Sequence, residues 1–198
     1  MKRYSVPATT LDPKTALVLI DLQRGIVGAP TVPHTAADVV ARGAELARAF
    51  RTAGLPVALV RVSFASDGAD APPGRTEVGG RSSPPPQGWD TLVDELDVQP
   101  TDLVVTKRNW GAFHGTDLDV QLRRRGVTGI VLGGVATSIG VESTARAAHE
   151  HGYHVTIATD AAADRDADSH EHSVTKIFPR LGETGTTEEI LALLPRDA

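Results

Sequence analysis

The chain has 198 residues, 40% of them hydrophobic and 23% charged, with a net charge of −5 and no cysteine. That length suits one domain whose core needs no metal or disulfide staple. The acidic balance argues against a nucleic-acid or anionic-membrane surface, since both need clustered Lys and Arg. The missing cysteine excludes disulfides, thiolate metal sites and thiol nucleophiles.

Residues 1–7 lack the apolar stretch of a signal peptide and no later run approaches a membrane span, so a cytoplasmic location is expected. The run Ala16–Ile20 is apolar throughout, as a strand covered on both faces requires, and ends at Asp21. Residues 35–50 carry a helical stripe of Val39, Val40, Leu46 and Phe50, with Gly54 as the stop. A second strand follows over 56–62. Residues 64–88 are rich in Pro, Gly, Ser and Asp and show no period. They read either as a surface excursion over the active-site end or a subunit contact, or as a plain unstructured loop.

The alternation then resumes. Residues 102–105 form a third strand, with Thr106 and Lys107 at its carboxyl end. Thr116 caps a helix through Leu118, Val120 and Leu122 that stops at Gly126. The cluster Arg123-Arg124-Arg125 suits the end of that helix, solvated and favourable to its dipole. Residues 129–133 are a fourth strand, and Thr137 or Ser138 caps the next helix. Residues 154–158 are a fifth strand, followed by a helix over 166–177, a short strand near 182–184 and a helix opening at Thr187. Six strands joined by helices predict one α/β domain with a doubly wound parallel sheet. Ligands of such sheets bind outside the carboxyl ends of the strands. Asp21, Lys107 and the turn 137–140 all fall at those ends.

Other chemistry has little support. His149, His151, His170 and His172 have spacings that resemble ligand pairs, but alternate helix positions do not face each other, and solvated histidines are expected. No phosphate-cradling glycine loop is present in the sequence. Neither a metal nor another cofactor is expected.

Three segments carry a resemblance: Val18-Leu19-Ile20-Asp21-Leu22-Gln23, Thr106-Lys107 through Leu118, and Gly133-Gly134-Val135-Ala136-Thr137-Ser138-Ile139-Gly140 through Ala145. In order, spacing and wording they resemble the isochorismatase-like (cysteine hydrolase) superfamily, over nearly the whole chain. The resemblance implies a three-layer α/β/α sandwich with a six-stranded parallel sheet of order 3-2-1-4-5-6, assembled as a homodimer or homotetramer. It implies a catalytic Asp–Lys–Cys set that maps to Asp21, Lys107 and the position held here by Gly140. It also implies a non-proline cis peptide between Val135 and Ala136, which aims backbone N–H groups at the substrate. Gln23, Trp110, Phe113, Val135, Ala136 and Thr137 are the expected substrate contacts, with Gln23 and Arg108 reading alternatively as partners behind the site or exposed side chains, and Trp110 and Phe113 as plain packing. The metal-binding histidines of nicotinamidase-like relatives have no counterpart in residues 61–67.

Gly140 closes the covalent thiol route, and neither Thr137 nor Ser138 occupies the nucleophile's position. True isochorismatases resemble this chain in having glycine there. They hydrolyse a vinyl ether, with the Asp as acid. For Asp21 this demands a pKa raised from about 3.9 to about 6, worth roughly 3 kcal/mol. Lys107 opposes it by roughly 4 kcal/mol for unit charges about 4 Å apart at an effective dielectric near 20. The free pair is therefore expected to rest ionised, with Asp21 protonated once an anionic substrate claims Lys107. The reading that follows is a thiol-independent hydrolase of a small carboxylate-bearing metabolite such as a vinyl ether. The alternatives are a weak or inactive metabolite-binding member, or an amidase-type relative that has lost its cysteine.

Overall fold

Thr15–Ile20 (β1) is buried at every position in the computed structural model, which describes residues 8–72, 74–77 and 85–195. Its continuous apolar run is explained by helices on both sides. Ala16, Val18 and Ile20 face one core and Leu17 and Leu19 face the other, as the two-residue period of a strand dictates.

After β1 come a single helical turn, Arg24–Val27 (α1), and a long helix, Ala36–Thr52 (α2). Thr35 and Asp38 form a reciprocal capping box that satisfies orphan N–H groups at the start of α2. The helix buries Val39, Val40, Leu46, Ala47 and Phe50 and ends just before Gly54, whose φ of +67° suits a glycine. The strands Val57–Val62 (β2) and Leu103–Lys107 (β3) follow, separated by the long connection and a 3₁₀ turn at Asp94–Leu96. Leu118–Arg124 (α3) leads to Gly129–Val135 (β4), then a π-helical turn at Thr137–Val141 that runs into Glu142–Glu150 (α4). The chain continues through His154–Ala163 (β5), Ala167–His172 (α5), Phe178–Leu181 (α6), Glu183–Gly185 (β6) and Thr187–Ala192 (α7).

All five strand pairings are parallel and the order is β3-β2-β1-β4-β5-β6. One core joins the sheet to α3, α4 and α6 through Leu118, Leu122, Ala145, Ala148 and Phe178. The other joins it to α2 and α7 through Val39, Leu46, Phe50 and Ile190. The result is a three-layer α/β/α domain.

Three local expectations are corrected. β5 runs on to Ala163, because its register with β4 shifts between Leu132 and Gly134 and pairing resumes beyond the irregularity. The helix over 166–177 is interrupted by a second π-helical turn at Ser173–Ile177. Neither Thr137 nor Ser138 caps the helix after β4 with its side chain; the Thr137 hydroxyl bonds to His170 instead. Within the stretch 64–88, residues 73 and 78–84 lie outside the described residues. Its first part is tethered to the end of β3, where Asp70 pairs with Arg108 and accepts from Ala65 N.

Candidate active site

The sheet pairing of β1 continues as far as Asp21, whose N–H donates to Val60 O at 2.8 Å. There φ becomes +54°, a left-handed conformation that Asp tolerates better than most side chains. The chain leaves the sheet and the carboxylate turns toward β3. Lys107, on the far side of β2, donates from Nζ to Asp21 Oδ2 at 2.8 Å and to Asn109 O at 3.1 Å. Asp21 and Lys107 are 6% and 2% exposed, so the pair is almost sealed from solvent.

Two features make Asp21 chemically unusual. Burial pushes its pKa up to about 6, against the pull of Lys107 and its hydrogen bond. Desolvation thus outweighs the ion pair, where the sequence argument weighted Lys107 more heavily. In addition, Asp21 Oδ1 is buried and has no hydrogen-bond partner among the described residues. Such an acceptor is costly unless a ligand or water completes it.

The third side of the site comes from β4. A Cβ on Gly134 would lie 2.1 Å from Ile20 O, and its φ is +123°, so only glycine lets β4 press against β1 beside Asp21. The Val135–Ala136 peptide is cis. A Cβ on Gly140 would lie 2.9 Å from Ile20 Cγ2 and 3.4 Å from Asp21 Oδ2. Position 140 therefore faces the carboxylate directly, with little spare room on the Ile20 side.

The turn is braced from three directions. Thr144 Oγ1 donates to Gly140 O at 2.7 Å and accepts from Ala112 N at 3.1 Å, which docks the loop after Lys107 onto α4. Ser138 N donates to Asp164 Oδ2 at 2.6 Å, and Thr137 Oγ1 lies 2.9 Å from His170 Nδ1. Asp164 also pairs through its backbone with Val32, and the neighbouring Arg165 guanidinium donates to the carbonyls of Ile26, Ala29 and Pro30. His170 is buried, not solvated as the sequence suggested. Burial holds its pKa below the ordinary imidazole value, followed by repulsion from His34.

The expected substrate contacts divide. Val135 and Thr137 are buried in the turn, and the Ala136 carbonyl accepts from Ile139 N and Val141 N. Gln23 is fully buried and its carboxamide is committed to Val62 and Trp89. Phe113 is core rather than wall, packed on Tyr153 and His151. Trp110 is 66% exposed, with its carbonyl turned toward Gly140. Sequence reading missed Asp164, Thr144 and the buried role of His170. Asp164 could have been found as the first charged residue after an apolar run ending at Ala163.

Two clefts of about 480 and 440 Å³ open at the amino-terminal ends of the strands, and neither is lined by Asp21, Lys107 or Gly140. The ionisable chemistry lies at the other end, which is the better guide to function. Among the described residues no group of three or more His, Asp or Glu is arranged to hold a metal, and no helix is long and apolar enough to cross a membrane.

A parallel sheet of this order, with a buried Asp–Lys pair beneath the turn after β4, defines a three-layer α/β/α domain with its ionisable site at the carboxyl ends of the strands. The isochorismatase domain model matches residues 15–189, and the chain belongs to the isochorismatase-like hydrolase superfamily. It is 46% identical over 180 residues to the uncharacterised isochorismatase family protein YecD of Escherichia coli O157:H7, covering 91% of this chain and 96% of that one. It is 33% identical over 178 residues to the ureidoacrylate amidohydrolase RutB of Pseudomonas syringae, covering 75% and 70% of the two chains. Among solved structures, an isochorismatase family protein from Burkholderia thailandensis superposes with a TM-score of 0.91 at 51% identity, covering 94% of this chain and 98% of that one.

Proposed function

We propose that this protein hydrolyses a small carboxylate-bearing metabolite, a vinyl ether being the best fit, without a thiol and with Asp21 as the acid. The observation that carries the reading is the state of Asp21: a buried carboxyl with a pKa of about 6 and one unpartnered oxygen, facing a glycine. A group poised in this way is suited to transferring a proton near neutral pH. A substrate carboxylate at Lys107 would weaken the pull that keeps Asp21 ionised and raise its pKa further.

In the proposed reaction Asp21 gives its proton to the enol-ether carbon, leaving an oxocarbenium ion. Water adds to that ion and returns a proton to Asp21, and the resulting hemiketal collapses to a ketone and an alcohol. The turn at 137–140 would orient the substrate through the N–H groups it does not already commit, those of Ser138 and Ile139 being taken by Asp164 and the Ala136 carbonyl. The substrate class gains support from the relative named ureidoacrylate amidohydrolase, because an acrylate carries a carboxylate.

The direct test is to incubate the purified protein with isochorismate and follow pyruvate. Release is expected, with Asp21→Asn slower by about 100-fold or more, the usual scale for losing a general acid. Absence of pyruvate, with Asp21→Asn indistinguishable from wild type, removes the vinyl-ether reading and leaves binding without turnover.

A further inference from the structure

β1 abandons the sheet before its neighbour β2 has ended. The two strands pair through Ile20 and Val60, and a straight continuation would set residue 22 opposite Val62. The positive φ of Asp21 takes the backbone away instead. Val62 nevertheless keeps both of its hydrogen bonds on that side. Its N–H donates to Gln23 Oε1 at 2.8 Å, and Gln23 Nε2 donates to its carbonyl at 3.0 Å.

A carboxamide carries the same donor and acceptor as a peptide unit, so the Gln23 side chain replaces the rung that the bend removes. The same Nε2 donates to Trp89 O at 3.3 Å, beside Gly25 N, which donates to that carbonyl at 2.9 Å. Arg24 N to Thr91 O at 2.9 Å and Val93 N to Leu22 O at 3.1 Å complete the seam. The bend at Asp21 is thus fastened to β2 and to residues 89–93, and Gln23 is the side chain shared by both attachments.

We propose that Gln23 is a positioning residue for Asp21, its carboxamide acting as a surrogate peptide that holds the left-handed bend and so aims the carboxylate at Lys107. Gln23 does not touch substrate in this arrangement. The inference rests on the reading of Asp21 as the working acid, but its test requires no substrate.

The test uses Gln23→Met, which keeps the length and loses all three hydrogen bonds, and Gln23→Asn, which keeps the amide and cannot reach. The full chain is labelled with ¹³C at the Asp carboxyl carbon, and the Asp21 titration is followed by NMR alongside thermal melting. Lys107 is the one charged group bonded to Asp21 among the described residues, and the Val62 N–H beside it also lowers its pKa, so the midpoint reports the bend together with both of these influences. In both variants the midpoint is expected to fall from about 6 by about one pH unit or more, as the carboxyl relaxes toward water.

A brace that served only stability would lower the melting temperature and leave the Asp21 midpoint within about 0.2 units of wild type, which overturns the proposal. If Gln23→Met does not fold, the midpoint of Gln23→Asn decides by the same criterion. An unchanged midpoint alongside pyruvate release would sink this inference alone, whereas a shifted midpoint without pyruvate would sink only the proposed reaction.

Discussion

Replacing Lys107 by Met removes the counter-ion of Asp21 while keeping an unbranched apolar chain in the buried slot. At 2.8 Å and an effective dielectric near 20, the pair interacts by about 6 kcal/mol, equivalent to about four pKa units. Water entry and relaxation of the charge reduce this, so about half is a realistic share. The Asp21 midpoint is then expected to rise from about 6 to about 8 or above. At pH 7 the variant would hold a neutral acid where wild type holds mostly a carboxylate. Proton uptake also limits the loss of stability, since the alternative is an unpaired buried charge. The assay is carboxyl ¹³C titration of Asp-labelled protein, with the Asp21 resonance assigned by its disappearance in Asp21→Asn. A midpoint that stays near 6, or falls, would refute the argument that Lys107 is the group restraining the carboxyl.

Two further outcomes follow from the same geometry. The Asp21 pKa is raised from 3.8 to about 6, so the folded state binds the proton more tightly, and unfolding free energy should fall by about 3 kcal/mol as pH rises through that window. The contribution is complete below pH 3.8 and lost above about 6; urea midpoints across this range should therefore drop more for wild type than for Asp21→Asn/Lys107→Met, and parallel curves would contradict it. Gly134→Ala forces a Cβ to within 2.1 Å of Ile20 O at a φ of +123°, and is expected to cost about 4 kcal/mol or more, read by thermal or urea denaturation. A loss under about 1 kcal/mol would mean that β1 and β4 can part without penalty.

The sheet was legible because β1 and β4 are uninterrupted apolar runs, and because a charged residue stands just past the end of β1 and at the end of β3. Asp21 and Lys107 stood out for that reason. The bend at Asp21 was not legible, since nothing in Asp21-Leu22-Gln23 announces a left-handed residue, and Gln23 consequently read equally as a substrate contact, a partner behind the site or an exposed side chain. Phe113 misled because closeness to Lys107 in sequence says nothing about direction once the loop 108–117 turns back onto the core. His170 escaped because α5 is short and passes into a π-helical turn, which shifts the phase that would identify its buried face. Asp164 was hidden by the irregularity that lengthens β5 beyond its obvious apolar stretch.

Arg165 has a consequence for anyone seeking to rebuild residues 26–30. One guanidinium gathers three backbone carbonyls from residues 26–30, so the course of that segment is dictated from a place far along the chain. A replacement segment of another length would no longer present its carbonyls to that clasp. Redesign would have to treat residues 26–30 and Arg165 as one part, with the backbone pairing of Val32 and Asp164 as the pin between them.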